Sequence, residues 1–303
     1  MNYAIANILL NNVCNLKCKH CYLDKNTSPT FLDLGSIDSI LKYLKKYNVK
    51  SIVWSGGEPL LNSNLLNILK LSSSYDFNNW IFSNGTLITR EFLNSTQIYL
   101  QGFFISIDGL AHIHDYCRGY NGAFSKVDNS LRLLNELQVP FQISTTVYNK
   151  NFYEVENIIN YAYKYGCTNF IINAASSVGN AKSLIQLSTE QLFNLRHRFI
   201  EIIKKYNYHI KIKTNILTTQ ELLINNTAIY ESLINSLWID SNLNKSLIPN
   251  FISKVNIFDN SDSILINKTT FEKILKKIEN NNDDIFNFDY LFEEYLLKEV
   301  NYV

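Results

Sequence analysis

The chain has 303 residues, 28 basic and 27 acidic side chains, a formal charge of +1 and 46% apolar residues. That describes a folded chain of one large or two modest domains, with no long-range field to collect nucleic acid or anionic lipid, so neither partner is expected. About one residue in seven is Asn while Gly and Pro are scarce, which in so apolar a chain reads as compositional drift rather than disorder.

The first apolar run, residues 4–10, is too short to span a bilayer and lacks the basic flank and cleavage site of a signal peptide. It opens a predicted strand at 3–10. Further β-rich runs at 51–54, 80–83, 102–107, 141–147 and 168–173 alternate with helical stretches at 34–47, 63–73, 90–95, 124–138 and 153–165. In the last helix Val155, Ile158, Ile159 and Ala162 share one face at three- and four-residue spacing. Six β/α repeats are too few for the closed eight-stranded barrel and too regular for an α+β meander. The expected fold is therefore α/β, a partial (β/α)6 barrel with reactive groups at the carboxyl ends of the strands.

After a helix at 189–206 the character changes. A strand at 209–213, a helical stretch at 219–237, strands at 255–258 and 264–266 forming a hairpin, and helices at 270–278 and 288–298 complete the chain. This places a barrel over 1–207 and a small α+β extension over 208–303.

Cysteine usage points to chemistry. Five cysteines are too few for a secreted disulfide scaffold, so a reducing, cytoplasmic setting is expected. Three of them lie in Cys14-Asn-Leu-Lys-Cys18-Lys-His-Cys21, directly after the first strand. Soft thiolates select zinc, copper(I) or iron–sulfur clusters. A structural zinc site needs four ligands, and neither a fourth nearby cysteine nor a well-placed histidine is present. Three thiolates on a cubane leave one iron open to a substrate or cofactor. Ordinary buried cysteines, and a zinc knuckle completed from elsewhere, are the alternatives.

Other segments repeat the pattern of a small motif at a strand's carboxyl end. Gly56-Gly57-Glu58-Pro59 pairs glycines, which allow close backbone approach to a ligand, with an acceptor for an ammonium group and a stiff exit. Ser83-Asn84-Gly85-Thr86 contains an Asn-Gly turn. Ser106-Ile107-Asp108-Gly109 is followed by Arg118, whose guanidinium suits bidentate pairing with a carboxylate. His112 and His114 have the spacing of a metal pair, although a histidine with a backbone partner is the plainer reading. Thr145, Asn173 and Asn180 are substrate-contact candidates by position alone.

Together these motifs resemble the radical S-adenosylmethionine superfamily, whose three-cysteine spacing Cys14, Cys18 and Cys21 match without deviation. The resemblance implies one 4Fe–4S cluster on these cysteines, with S-adenosylmethionine chelated to the open iron and reductively cleaved to a 5′-deoxyadenosyl radical that abstracts hydrogen from a substrate C–H bond. His20 stands where the family usually has an aromatic residue near adenine, and Tyr22 follows. Gly56, Gly57, Glu58 and Pro59 are similar to the family's GGEP motif at the methionine amino group, and Asn84 lies in a TNG-type segment. The stretch from Ser106 through Arg118, Gly119 and Gly122-Ala123-Phe124 resembles that of peptide-modifying enzymes and anaerobic sulfatase maturases. It implies Ser106 at the cofactor's ribose or carboxylate and Arg118 at its carboxylate. Asp108 is expected at the ribose or the substrate, or as a helix cap.

That branch usually carries a carboxyl-terminal SPASM or twitch extension whose cysteines bind auxiliary clusters. Here no cysteine follows Cys167, so the extension reads as a degenerate form without a cluster. A substrate radical would then need another route for its electron, or a hydrogen donor; Cys117, beside Arg118, is the candidate thiol, with a small buried cysteine as the plain reading. Cys167 precedes its strand and belongs at the opposite end of the barrel.

The leading function is modification of a ribosomally made peptide or protein side chain. A radical enzyme acting on a small molecule is the alternative, and a non-catalytic iron–sulfur or zinc-binding partner protein is the contrasting class. An electron donor such as flavodoxin or ferredoxin is implied. Because the first strand begins almost at residue 1, leader recognition is expected to use a separate protein or the carboxyl-terminal region.

Overall fold

The computed structural model describes residues 5–23, 28–175 and 179–218, together with the short strands 236–239, 244–246, 255–256 and 285–287. Strands β1 (Ile5–Leu9), β2 (Ser51–Ser55), β3 (Asn78–Ser83), β4 (Gly102–Ser106), β5 (Phe141–Val147), β6 (Asn169–Ala174) and β7 (Lys211–Lys213) lie side by side and parallel in chain order. Between them run α1 (Leu34–Lys46), α2 (Leu65–Ser74), α3 (Arg90–Thr96), α4 (Ala111–Arg118), α5 (Ala123–Glu136), α6 (Val155–Tyr163) and α7 (Thr189–Lys205). The sheet is open, so the partial barrel expected from the β/α alternation is what the chain forms.

Helix periodicity explains the layering. α1 buries Ile37, Ile40, Leu41 and Leu44, one stripe at i, i+3, i+4 and i+7, and starts where the Asp33 carboxylate accepts from the Ser36 amide at 2.7 Å. α6 buries the Val155, Ile158, Ile159 and Ala162 face read from the sequence. α7 opens with a reciprocal capping box between Ser188 and Gln191. These stripes cover strands whose inward residues, among them Ile52, Trp54, Ile81, Phe103, Ile105 and Ile143, are fully buried.

Two sequence expectations change. The strand expected at 209–213 is β7, and it extends the barrel sheet by pairing parallel with β6. Residues 236 and 237, expected at the end of a helix, instead begin β9 (Ser236–Ile239), which pairs parallel with β1. β8 (Ile216–Thr218) pairs with β12 (Ile285–Asn287) in a separate two-stranded sheet. β10 (Asn244–Ser246) continues the main sheet antiparallel to β9, and β11 (Val255–Asn256) pairs with β10 at Asn244 and Lys245. The second arm of the expected hairpin, 264–266, and the helices expected at 270–278 and 288–298 lie outside the described residues. α4, by contrast, was not expected: at eight residues it is too short for an apolar stripe to stand out in sequence.

Parallel register puts all the carboxyl ends at one edge. Leu9 is opposite Ser55, Ser83 opposite Ile105, and Ser106 opposite Ser144. The cysteine segment, Gly56–Pro59, Asn84, Asp108, Asn151 and Asn180 therefore meet there, although they come from six different strand exits.

Candidate functional site

The cysteine segment is held by backbone packed against glycines. A Cβ on Gly56 would lie 2.4 Å from the Asn11 carbonyl oxygen, and one on Gly57 only 2.0 Å from that of Val13. At those positions the Gly57 amide donates to Asn11 O and the Glu58 amide to Val13 O, each at 2.8 Å. Gly119 fits against Lys17 O in the same way, with a hypothetical Cβ at 2.3 Å, and Gly179 against Cys21 O at 2.4 Å. The close approach that the paired glycines permit is thus to the chain's own cysteine segment. Asn180 completes the clamp, its amide donating to Cys21 O at 2.8 Å and its side chain to Cys18 O at 3.0 Å.

All five cysteines are free thiols. Among the described residues no three His, Cys, Asp or Glu side chains converge on a point for a single ion, so fit to a cluster is judged from the donors around the sulfurs. Cys14 Sγ accepts from the Leu16 amide at 3.4 Å and the Asn84 side-chain amide at 3.8 Å. Asn84 is itself fixed by Asn15 and Thr86. Burial pushes the Cys14 thiol up to about 11, with Cys18, Glu58 and Cys21 adding to the rise and the Leu16 N–H opposing it. Cys18 Sγ receives Arg118 Nη1 at 3.7 Å. N–H donors and a guanidinium aimed at sulfurs are what cluster-bound thiolates use, so these residues fit the group.

Arg118 and Asp108 form the electrostatic centre beneath the segment. Asp108, with no exposed surface, places Oδ2 2.7 Å from Arg118 Nε and 3.3 Å from His20 Nε2, while Oδ1 accepts from the Thr146 amide at 2.9 Å. Burial alone would raise this carboxyl, but the Arg118 charge, the two histidines and the Thr146 N–H together hold it below the usual range. Burial opposes the Arg118 charge, and Asp108 with Cys18 more than restores it. His20 thus ties the cysteine segment to the ion pair, with its ring 6.2 Å from that of Tyr148. Asp108 caps no helix; α4 begins after Leu110 without a side-chain cap.

Other candidates divide between this end and plain structure. Glu58 is fully buried and its carboxylate accepts from Ser83 Oγ and the Asn84 amide at 2.8 Å and the Leu60 amide at 3.2 Å. Burial pushes it up to about 7 against those donors. Pro59 starts a short 3₁₀ turn, Pro59–Leu61, that Glu58 caps. Ser106 ends β4, buried beside this site, and Tyr22 follows Cys21, where burial raises its hydroxyl. His112 is exposed on α4 while His114 is buried, its Nδ1 accepting from the Asp108 amide at 3.2 Å, so the two make no metal pair. Burial, then Arg118, lowers His114 to about 3, which keeps it neutral.

Thr145 donates to Ile107 O at 2.7 Å, and Asn173 accepts from the Asn215 amide at 2.9 Å; with the Asn180 clamp, all three positional candidates are occupied in structure. Cys117 is fully enclosed in a small cluster with Tyr148 and Ala175, packed against Ile113 and Leu184, and receives the Tyr148 hydroxyl at 3.2 Å. Burial, with Asp108 nearby, pushes its thiol up to about 12. That geometry supports the packing role.

Sequence reasoning missed Asn11, Asn15 and Asn151. Asn151 donates to Asp108 O and Thr146 O, both at 2.9 Å, and Asn11 to Glu58 O at 3.0 Å. In so Asn-rich a chain, residue type carries no signal, and only position after a strand could have marked them.

The chain is 28% identical over 206 residues to the AdoMet-dependent heme synthase of Oleidesulfovibrio alaskensis, covering 65% of this chain and 53% of that protein. It is 28% identical over 186 residues to the antilisterial bacteriocin subtilosin biosynthesis protein AlbA of Bacillus subtilis, covering 59% and 41%. This chain therefore spans about half the length of the curated relatives it matches. In fold it resembles Streptococcus suis SuiB bound to its precursor peptide SuiA, with TM-score 0.71, 16% identity, and coverage of 90% and 67%. Residues 8–162 match the Radical SAM superfamily, the stretch that contains the cysteine segment, Gly56, Gly57, Gly119 and the Asp108–Arg118 pair. The chain belongs to the radical SAM superfamily.

Proposed function

We propose that this chain is a radical S-adenosylmethionine enzyme that modifies a side chain of a ribosomally made peptide or a protein. When bound, the family's 4Fe–4S cluster and S-adenosylmethionine supply one-electron reduction and a hydrogen-abstracting radical. Cys14, Cys18 and Cys21 would hold that cluster. Asn84 and the Leu16 amide donate to the first thiol, and Arg118 orients toward the second. Asp108 holds Arg118 in place, and four glycines keep the segment against the strand ends. Gly56, Gly57, Glu58, Ser106, His20 and Tyr22 remain the proposed cofactor surroundings. The observation that carries the reading is the cysteine segment clamped at several strand ends with a buried guanidinium at Cys18.

A peptide substrate is favoured by the likeness to SuiB and the relation to AlbA. A small-molecule substrate is the second reading, favoured by heme synthase relatives that match a larger share of this chain. We keep 208–303 as an extension without a cluster; its strands β7 and β9 flank the sheet on both sides. No helix among the described residues is long and apolar enough to cross a membrane.

Anaerobic reconstitution tests the reading. About four irons and four sulfides per chain are expected, with 5′-deoxyadenosine formed on adding dithionite and S-adenosylmethionine. Cys18→Ala should lose both. Bound zinc, or 5′-deoxyadenosine persisting in that variant, overturns the assignment, and about eight irons would overturn the single cluster.

A further inference from the structure

The outward face of the cysteine segment is basic and aromatic. Exposure alternates along it: Asn15, Lys17 and Lys19 are exposed while Leu16 and Cys18 are buried, the two-residue period of extended backbone. Both lysines therefore point away from the site that Cys18 and Arg118 face. The segment is laid against the end of α4, with the Lys17 amide donating to Arg118 O at 3.2 Å and the Lys19 amide to Cys117 O at 2.9 Å. This brings Lys19 Nζ to 5.6 Å from the centre of the Tyr116 ring, which is 50% exposed. Gly119 packs on Lys17, and the next residue, Tyr120, is 40% exposed with Lys126 Nζ 3.1 Å from its hydroxyl. Asp115, the carboxylate of the same helix, is committed to the amides of Gly122 and Phe124 at 2.6 and 2.8 Å.

Three exposed lysines interleaved with two tyrosines are thus concentrated in a chain whose net charge is only +1. Such a patch attracts an acidic partner locally, where the molecule as a whole attracts none. Tyrosines supply rigid contact area at little entropic cost. Lys17 and Lys19 are each bonded through one peptide unit to Cys18, so a partner seated here lies a few atoms from a proposed cluster ligand while leaving the interior of the site free. A peptide substrate has to reach that interior; a one-electron carrier does not.

We infer that Lys17, Lys19, Tyr116, Tyr120 and Lys126 form the docking surface for an acidic one-electron carrier protein. This rests on the proposed radical function. In each encounter the carrier would be oxidised by one electron, and the cluster that Cys14, Cys18 and Cys21 would hold would be reduced by one.

The test uses the reconstituted full chain and an acidic flavodoxin. Wild type should bind it with an affinity that falls steeply as salt rises, and carbodiimide should join flavodoxin carboxylates to Lys17, Lys19 or Lys126. The charge reversal Lys17→Glu, Lys19→Glu, Lys126→Glu should weaken binding about tenfold or more at low salt and flatten the salt dependence. Iron content and dithionite-driven 5′-deoxyadenosine should stay at wild-type levels. Unchanged flavodoxin affinity in that variant, or cross-links mapping elsewhere, overturns the docking surface. So does a poly-glutamate peptide that competes fully at equal charge, which would assign the patch to acidic peptides. Failure of wild type to hold iron or to form 5′-deoxyadenosine with dithionite overturns the underlying function instead.

Discussion

Cys167 and Cys18 are both buried thiols, but they sit at opposite ends of the sheet in different chemistry. Cys167 precedes β6 and packs in the main apolar core, its thiol directed at the Asn169 carbonyl 3.3 Å away; burial pushes it up to about 12. Cys18 lies past the carboxyl ends, under a guanidinium. Around the first, stability comes from apolar area and close packing. Around the second, the buried side chains include Asn11, Glu58, Asp108, His114, Arg118 and Asn151, each of which needs a partner. The two ends should tolerate change differently: an apolar core loses energy by degrees, whereas a buried polar ring fails when one member is removed.

Asp108→Asn should expose this contrast most. It leaves Arg118 as a buried cation without its counter-charge, which costs about 3–5 kcal/mol. Anaerobic urea unfolding measures it, and a loss below about 1 kcal/mol would mean the network is not acting as a unit.

Gly57→Ala is the next test. Its Cβ would fall 2.0 Å from Val13 O, a backbone atom that cannot swing aside. A loss of about 1–3 kcal/mol is expected, together with reduced iron uptake on reconstitution because the cysteine segment must move. Wild-type iron content in that variant would separate the clamp from the site.

At the apolar end Ile81→Val should cost only about 1 kcal/mol and leave iron content unchanged. Iron loss there would show that the two ends are coupled through β3.

The smallest effect belongs to the helix layer. Asp128 of α5 accepts from Tyr161, from Tyr165 at 2.8 Å and from Arg132 at 3.0 Å. Burial raises its carboxyl, but these donors together hold it below the ordinary 3.8. A depressed folded-state value means the stabilisation is present above the unfolded value and fades as pH falls through the folded one. Asp128→Asn should therefore cost its full, small amount at pH 7 and converge on wild type as pH falls, flattening the acid limb of stability measured between about pH 5 and 2.

Much of the barrel was legible because helix and strand periods are local. The α1, α6 and α7 stripes and the six early strands need only residue spacing, and the cysteine spacing alone pointed to a cluster. α4 was not legible, since eight residues are too few to show a stripe and the helix is defined by its contacts: Gly119, at φ 63°, ends it, and the cysteine segment covers its last carbonyls. The extension was misread at 236–237 for a related reason, because β9 is a strand by virtue of pairing with β1, a partner more than two hundred residues away in sequence.

Fold class, the place of the cysteines after β1 and the polar residues at strand exits are all written in the chain. These follow from side-chain period and from the rule that parallel strands deliver their carboxyl ends to one edge. Tertiary structure alone decided what those residues touch. Glycines expected to let a ligand approach the backbone became seats for another segment's backbone, Asp108 became the partner of Arg118 and His20, and Cys117 was enclosed. Hydrogen bonds and ion pairs act over about 3 Å, and the residues that meet at that range here are separated by up to 162 positions in the chain.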